Sequence, residues 1–199
     1  MAIAIFDKLL KQAAQAGIIT NKAIDATDWL RDKASSVQQV NTQRVIQQGM
    51  DRGRTQLKVG QMFLFKYDPK HKDKLPYHDK FPLVFPFRRT PEGFYGINMH
   101  YLPLMFRATL MDNLYQLINN FKNDETTKLR LTYEILSGSA KFRYFRPCVK
   151  YYLNSQVQSK FIYITPNEWD VALFLPLHSF KGATITKVHR DSKRIITGR

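Results

Sequence analysis

The chain has 199 residues and a formal net charge of +15, from 31 Lys and Arg against 16 Asp and Glu. Hydrophobic residues make up 44% of it and aromatics 13%, enough for a real core, which excludes a wholly disordered polycation. A single cysteine, Cys148, excludes an intrachain disulfide framework and a zinc site built on several thiolates. The longest apolar stretches, such as Phe81 to Phe87, are far too short to cross a bilayer, so no membrane partner is expected. Met1 to Leu10 carries Asp7 and Lys8 without a basic leader or a small-residue cleavage site, so a signal peptide is not expected either. A soluble, intracellularly made, strongly basic globular protein is the expectation.

Residues 1–56 contain no proline and read as a helical arm. Ile3, Phe6, Leu9, Leu10, Ala13 and Ala14 recur at helical spacing, and Gly17 is a natural stop. A second helix is expected from near Thr27, a capping residue, to about Gln48, with Gly49 ending it. Its apolar stripe of Trp29, Leu30, Val37, Val40, Val45 and Ile46 is thin for its length. Such a helix either lies across a larger body or waits for a partner.

From Leu57 to Tyr101 the texture changes to strands: Met62 to Tyr67, Phe81 to Phe87 and Gly93 to Met99 are rich in aromatic and branched residues. Asp68 to Lys80 reads as an exposed loop, and Arg89-Thr90-Pro91-Glu92-Gly93 as the turn of a hairpin. Pro82 and Pro86 donate no ladder hydrogen bond, so their strand is either an edge or broken by bulges. Pro103 opens a helix with a broad apolar face through Ile118, and Asp124 is a candidate cap for a helix ending before Gly138. Phe161 to Ile164 reads as a strand, and Thr165-Pro166-Asn167-Glu168 is a capping box opening a helix through Phe174. Thr184 to Ile195 reads either as a basic terminal helix or as a tail that orders only on binding. The predicted fold is α+β: a small antiparallel sheet covered by helices. Its predicted organisation is an arm over 1–56, a core domain over 57–182 and a basic C-terminal extension over 183–199.

The charge is unevenly spread: residues 57–90 carry +5 and residues 141–199 carry +8, while 91–140 carry −1. A field of one sign gathers polyanions, nucleic acid foremost, though an acidic protein surface is served equally. Signals for chemistry are weak by comparison. His71 and His78 share a loop with Asp68, Asp73 and Asp79, but five lysines there would repel a cation. Asp112, Asp124, Glu125, Glu134, Glu168 and Asp170 are the carboxylates a nuclease would draw on, and each has a local structural reason to be present. Cys148, between Arg146 and Lys150, has a cationic setting that would lower its pKa, yet no His–Asn arrangement surrounds it. No catalytic residue, cofactor or metal site is predicted.

The binding signal is better. Lys141 to Tyr152 interleaves the cations Lys141, Arg143, Arg146 and Lys150 with five aromatics, a pattern suited to phosphates and to sugars or exposed bases. The bland alternative is an aromatic core rimmed by cations. Near the C-terminus Lys187, Arg190 and Arg194 share a helical stripe, with Lys193 beside them, suiting a DNA backbone groove or an acidic partner. Neither segment has a base-reading signature, so contact with double-stranded DNA should be sequence-independent.

The blocks Phe65 to Lys70, Leu75 to Leu83 and Gly93 to Pro103, with Arg107-Ala108, Met111-Asp112, Phe145 to Leu153 and Glu168-Trp169-Asp170, resemble virion proteins of T-even-like tailed phages. The resemblance spans about residues 58 to 195, and the N-terminal arm matches least. Members of that family are labelled DNA end protectors: late head proteins that bind the packaged duplex end and shield it from host exonuclease. The resemblance implies a non-enzymatic virion component, made in the host cytoplasm, that binds packaged DNA near the head or neck. It also implies other virion proteins as partners and a larger oligomeric assembly. The alternative is an architectural neck or baseplate subunit that clamps its neighbours with arm and tail and has no DNA role.

Overall fold

The computed structural model describes residues 3–16, 24–118, 132–138 and 143–198. Its helices are α1 (Ala4–Gln15), α2 (Ile24–Ser36), α3 (Thr42–Gln48), α4 (Leu104–Ile118), α5 (132–138), α6 (Trp169–Phe174) and α7 (Ile185–Thr197). Its strands are β1 (Gly53–Arg54), β2 (Met62–Leu64), β3 (His78–Asp79), β4 (Leu83–Arg89), β5 (Gly93–Asn98), β6 (Val149–Leu153), β7 (Phe161–Ile164) and β8 (Phe180–Lys181). Six strands form one sheet in the order β1-β7-β2-β4-β5-β6, antiparallel at every junction, and β3 pairs with β8 in a small second sheet. The fold is mixed α+β, as the alternation of strand and helix patterns predicts.

Side chains alternate across a strand, and here both faces are buried. Met62, Leu64, Leu83, Phe85, Ile97 and Ile162 point to one side, where α1, α2, α3, α4 and α6 contribute to the same core. Phe63, Phe65, Tyr67, Phe94, Tyr152 and Phe161 fill the other side. Phe65 sits at its centre, edge-on to Tyr67, Phe94, Tyr152 and Phe161 at centroid distances of 5.2–6.3 Å. Such edge-to-face pairs add about 1 kcal/mol each beyond the area they bury. No helix predicted from the sequence covers this second face. Loop residues Leu57 and Val157 supply part of it.

The Pro-containing strand β4 lies inside the sheet, between β2 and β5, and its register shifts between Pro86 and Arg88. Of the two alternatives the bulge is therefore realised. Pro86 uses its free carbonyl to accept from the Gly60 N–H at 3.0 Å. The β4–β5 hairpin turns through Thr90, whose hydroxyl accepts from the Gly93 N–H at 3.1 Å. An added Cβ at Gly93 would fall on the Tyr152 carbonyl of β6, so glycine is required by close backbone approach.

The single helix expected from Thr27 to Gln48 is two helices. Ser36 donates back to the Lys33 carbonyl at 2.7 Å, an alternative to continued helix, and Asn41 caps α3 by accepting from the Arg44 N–H at 3.0 Å. The break redirects the chain so that Val45 and Ile46 enter the core and the Thr42 hydroxyl donates to the Leu177 carbonyl at 2.8 Å. Ile3, Phe6, Leu9 and Ala13 of α1 and Leu30 and Ala34 of α2 belong to the same cluster as the sheet's inner face. Arg31 of α2 bridges Asp112 of α4 at 2.8 Å and Asp170 of α6 at 3.1 Å.

The capping box at Thr165 is formed: Glu168 accepts from the Thr165 N–H at 3.0 Å, with Pro166 in the first turn. Thr184 caps α7 and Gly198, at φ 75°, closes it in the left-handed conformation that favours glycine. The last segment is thus a helix seated on the body, with Val188, Ser192 and Ile196 buried. The expected Gly17 stop and Asp124 cap lie outside the described residues.

Candidate nucleic-acid interface

In its described part, from Arg143 on, the aromatic and basic run does not begin as an extended strand. Arg143–Cys148 is a 3-10 helix containing the buried Pro147, and only Val149–Leu153 is strand, as the edge strand β6. Proline at 147 donates no backbone hydrogen bond, which suits a tight turn better than a ladder. Between Arg143 and Cys148 the alternation of cations and aromatics therefore has no two-faced strand beneath it. This turn packs along α7, so two basic segments far apart in sequence become neighbours.

Of the predicted contact residues, Arg146 on the turn and Arg190, Lys193 and Arg194 on α7 are exposed. Lys187 is on the same outward side of α7 but is engaged: its Nζ lies 2.7 Å from the Asp191 carboxylate and 5.5 Å from the centre of the Tyr77 ring. Lys150 is half-buried, with its Nζ 4.0 Å from the centre of the Tyr101 ring, and burial pulls its pKa down. Lys141 and the Arg143 side chain lie outside what is described.

Beneath α7 is a buried polar network that the sequence reading missed. Asp79 Oδ2 is 2.7 Å from His100 Nδ1, and Asp79 Oδ1 accepts from the N–H groups of Phe81 and Ser179, both at 3.1 Å. Burial alone would raise this carboxyl; His100 and the two N–H donors outweigh it and hold Asp79 below the usual carboxylate range. Arg107, also buried, donates to the carbonyls of Leu102, Leu173 and His100. Burial draws its pKa down to about 10, so it remains a cation. His189 of α7 and His178 are each pushed down to about 4, chiefly by burial and then by neighbouring positive or ring groups, Arg107 among them. The Ser192 hydroxyl donates to the Tyr101 carbonyl at 2.7 Å and completes the seam. Asp79, Asn98, His100 and Arg107 all fall within the blocks that resemble the phage family, and Asp79 also stands among the loop carboxylates near His71 and His78.

Three of the candidate carboxylates have structural partners. Asp112 and Asp170 share Arg31, and Glu168 pairs with Arg52 at 2.6 Å while closing its capping box. Asp124 and Glu125 lie outside the described residues. The Cys148 thiol is fully buried and donates to the Phe145 carbonyl at 2.8 Å; burial pushes it up to about 12, overriding the lowering expected from its basic neighbours. In the 68–80 loop Asp68 pairs with Lys72 at 2.8 Å and Asp79 turns inward to His100, and among the described residues no group of three or more His, Cys, Asp or Glu is placed to hold a metal ion. Among the described residues no helix is long and apolar enough to cross a membrane.

Residues 32–192, most of the chain, match the model of a family described as phage T4 terminal DNA protecting protein. The match begins inside α2 and so takes in α3, part of the N-terminal segment in which the resemblance is weakest. No curated protein and no solved structure matches the chain.

Proposed function

The chain belongs to the phage T4 terminal DNA protecting protein family, and from that premise we propose that it is a non-enzymatic component of a tailed-phage particle. It binds the packaged duplex through the phosphate backbone, without sequence preference, near the head or neck. The observation that carries this reading is the packing of the Arg143–Cys148 turn along α7, which joins Arg146 to Arg190, Lys193 and Arg194 as exposed cations on adjoining elements. Lys141 and Arg143 precede Arg146 on the same segment and are assigned to the same contact. Long flexible cations on one face neutralise phosphates and release counterions, and they carry no base-edge code.

A salt series of binding to a linear duplex tests it. Log affinity against log salt should fall by about 0.9 for each phosphate neutralised. Replacing Arg146, Arg190 and Arg194 together by Gln should make that slope shallower by roughly 3. An unchanged slope would remove these residues from the contact. Absence of duplex binding at moderate salt would assign the positive face to acidic protein neighbours instead.

A further inference from the structure

A cavity of about 260 Å³ opens beside the basic face, between the 69–79 loop and the edge strand β6. Its lining includes Tyr67, Pro76, Tyr77, Tyr101, Lys150 and Tyr152. Tyr77 ties it to α7, because Lys187 lies over the Tyr77 ring and the Asp191 carboxylate is hydrogen-bonded to the Tyr77 side chain. The carboxylates nearby are already engaged: Asp79 faces His100, and Asp68 faces Lys72. Lys150 is different. It is a half-buried cation in the pocket wall whose close partner is the face of Tyr101, with no carboxylate salt bridge among the described residues. A partly desolvated ammonium of this kind favours an anion brought in by a ligand.

Tyrosine rings, a proline and one uncompensated lysine in a space of this size match a nucleotide: rings for the base, the ammonium for its phosphate. We propose that this pocket receives one unstacked nucleotide from the end of the duplex, with the base against Tyr77 and the phosphate on Lys150. The assignment rests on the backbone-binding reading above and deepens it, since it supplies a reason for ends to be preferred. An interior nucleotide is stacked on both sides and must be flipped out, whereas a terminal one has a single stacking neighbour and leaves more cheaply.

The test uses the full chain with a linear duplex and a closed circle of the same sequence. A second linear duplex carries 5-iodouracil at its terminal position, and a third carries it ten pairs inside. Wild type should bind the linear form more tightly, and light should cross-link the terminal iodouracil to the peptide containing Tyr77 but not the interior one. Tyr77→Ala should lose end preference by about tenfold while keeping its affinity for the circle; Tyr77→Phe, which keeps the ring, should retain it. The retained circle affinity shows that the variant is folded. End preference that survives Tyr77→Ala, or terminal cross-links that avoid the pocket, would overturn the pocket and leave end binding standing. Equal wild-type affinity for circle and linear DNA would overturn it while leaving the backbone contact. Loss of binding to both DNAs in wild type would overturn the two readings together.

Discussion

Arg31 shows how much one side chain carries here. It is the only described cation that touches both Asp112 on α4 and Asp170 on α6, and its side chain is 13% exposed. Burial raises the Asp170 carboxyl to about 6 despite the attraction of Arg31. Removing the guanidinium would leave that carboxyl buried without its counter-charge. Arg31→Ala should therefore cost roughly 3 kcal/mol in a urea unfolding experiment near neutral pH. A loss well below 1 kcal/mol would show that Asp170 takes up a proton at little cost. Nothing in the sequence marks Arg31 out, because its two partners lie far along the chain. Thr165 and Glu168 are the opposite case. Their bonds are local, so spacing alone predicted them.

Among elements, α7 is the informative one. Its sequence reads as a basic helix or a tail: Val188, Ser192 and Ile196 make a narrow stripe and, Ile185 and Ile195 apart, the rest is polar or charged. The structure places that stripe on Tyr101 and the histidine–arginine seam. An element that buries such groups contributes to stability as well as to binding. Truncation after Thr184 removes Val188 and Ile196 from the core, a loss of about 4 kcal/mol, and should lower Tm by roughly 10 °C for a chain of this size. A truncated protein with unchanged Tm and lost duplex affinity would make α7 a binding device alone. The split of the Thr27–Gln48 helix was less legible. Asn41 is a good cap residue, but a cap in mid-pattern gains its meaning only from where Thr42 and Val45 must go.

At the scale of the molecule, the helix and the sheet meet over ionisable groups, and that makes stability depend on pH. His178 and His189 have pKa values near 4 in the folded protein against an ordinary 6.5. The folded state thus binds fewer protons, so the stability they confer is complete above pH 6.5 and is lost as pH falls toward 4. Asp170 works in the opposite sense, because its raised pKa makes it cost stability as pH rises from 3.8 to about 6. Two groups outweigh one, and the growing net positive charge adds self-repulsion in acid. Thermal melts should show Tm falling steadily from pH 6.5 to pH 4, and His189→Gln should reduce that fall. A flat profile over this interval would mean the histidines are reached by solvent and titrate normally.

By itself the sequence determined the α+β class, the antiparallel hairpin, the capping box and the strongly basic C-terminal segment. These depend on periodicity, turn chemistry and charge within a few residues of each other. It also carried the resemblance through which the family is visible. Only the tertiary structure decided that Lys150 turns into a tyrosine-lined pocket while Arg146 stays outside. It likewise decided that Asp79, His100 and Arg107 share one buried network, and that Arg146 stands beside α7. Most of those outcomes follow from contacts between residues tens of positions apart. Such contacts are set by which faces the packed sheet and helices leave open, and no local pattern encodes them.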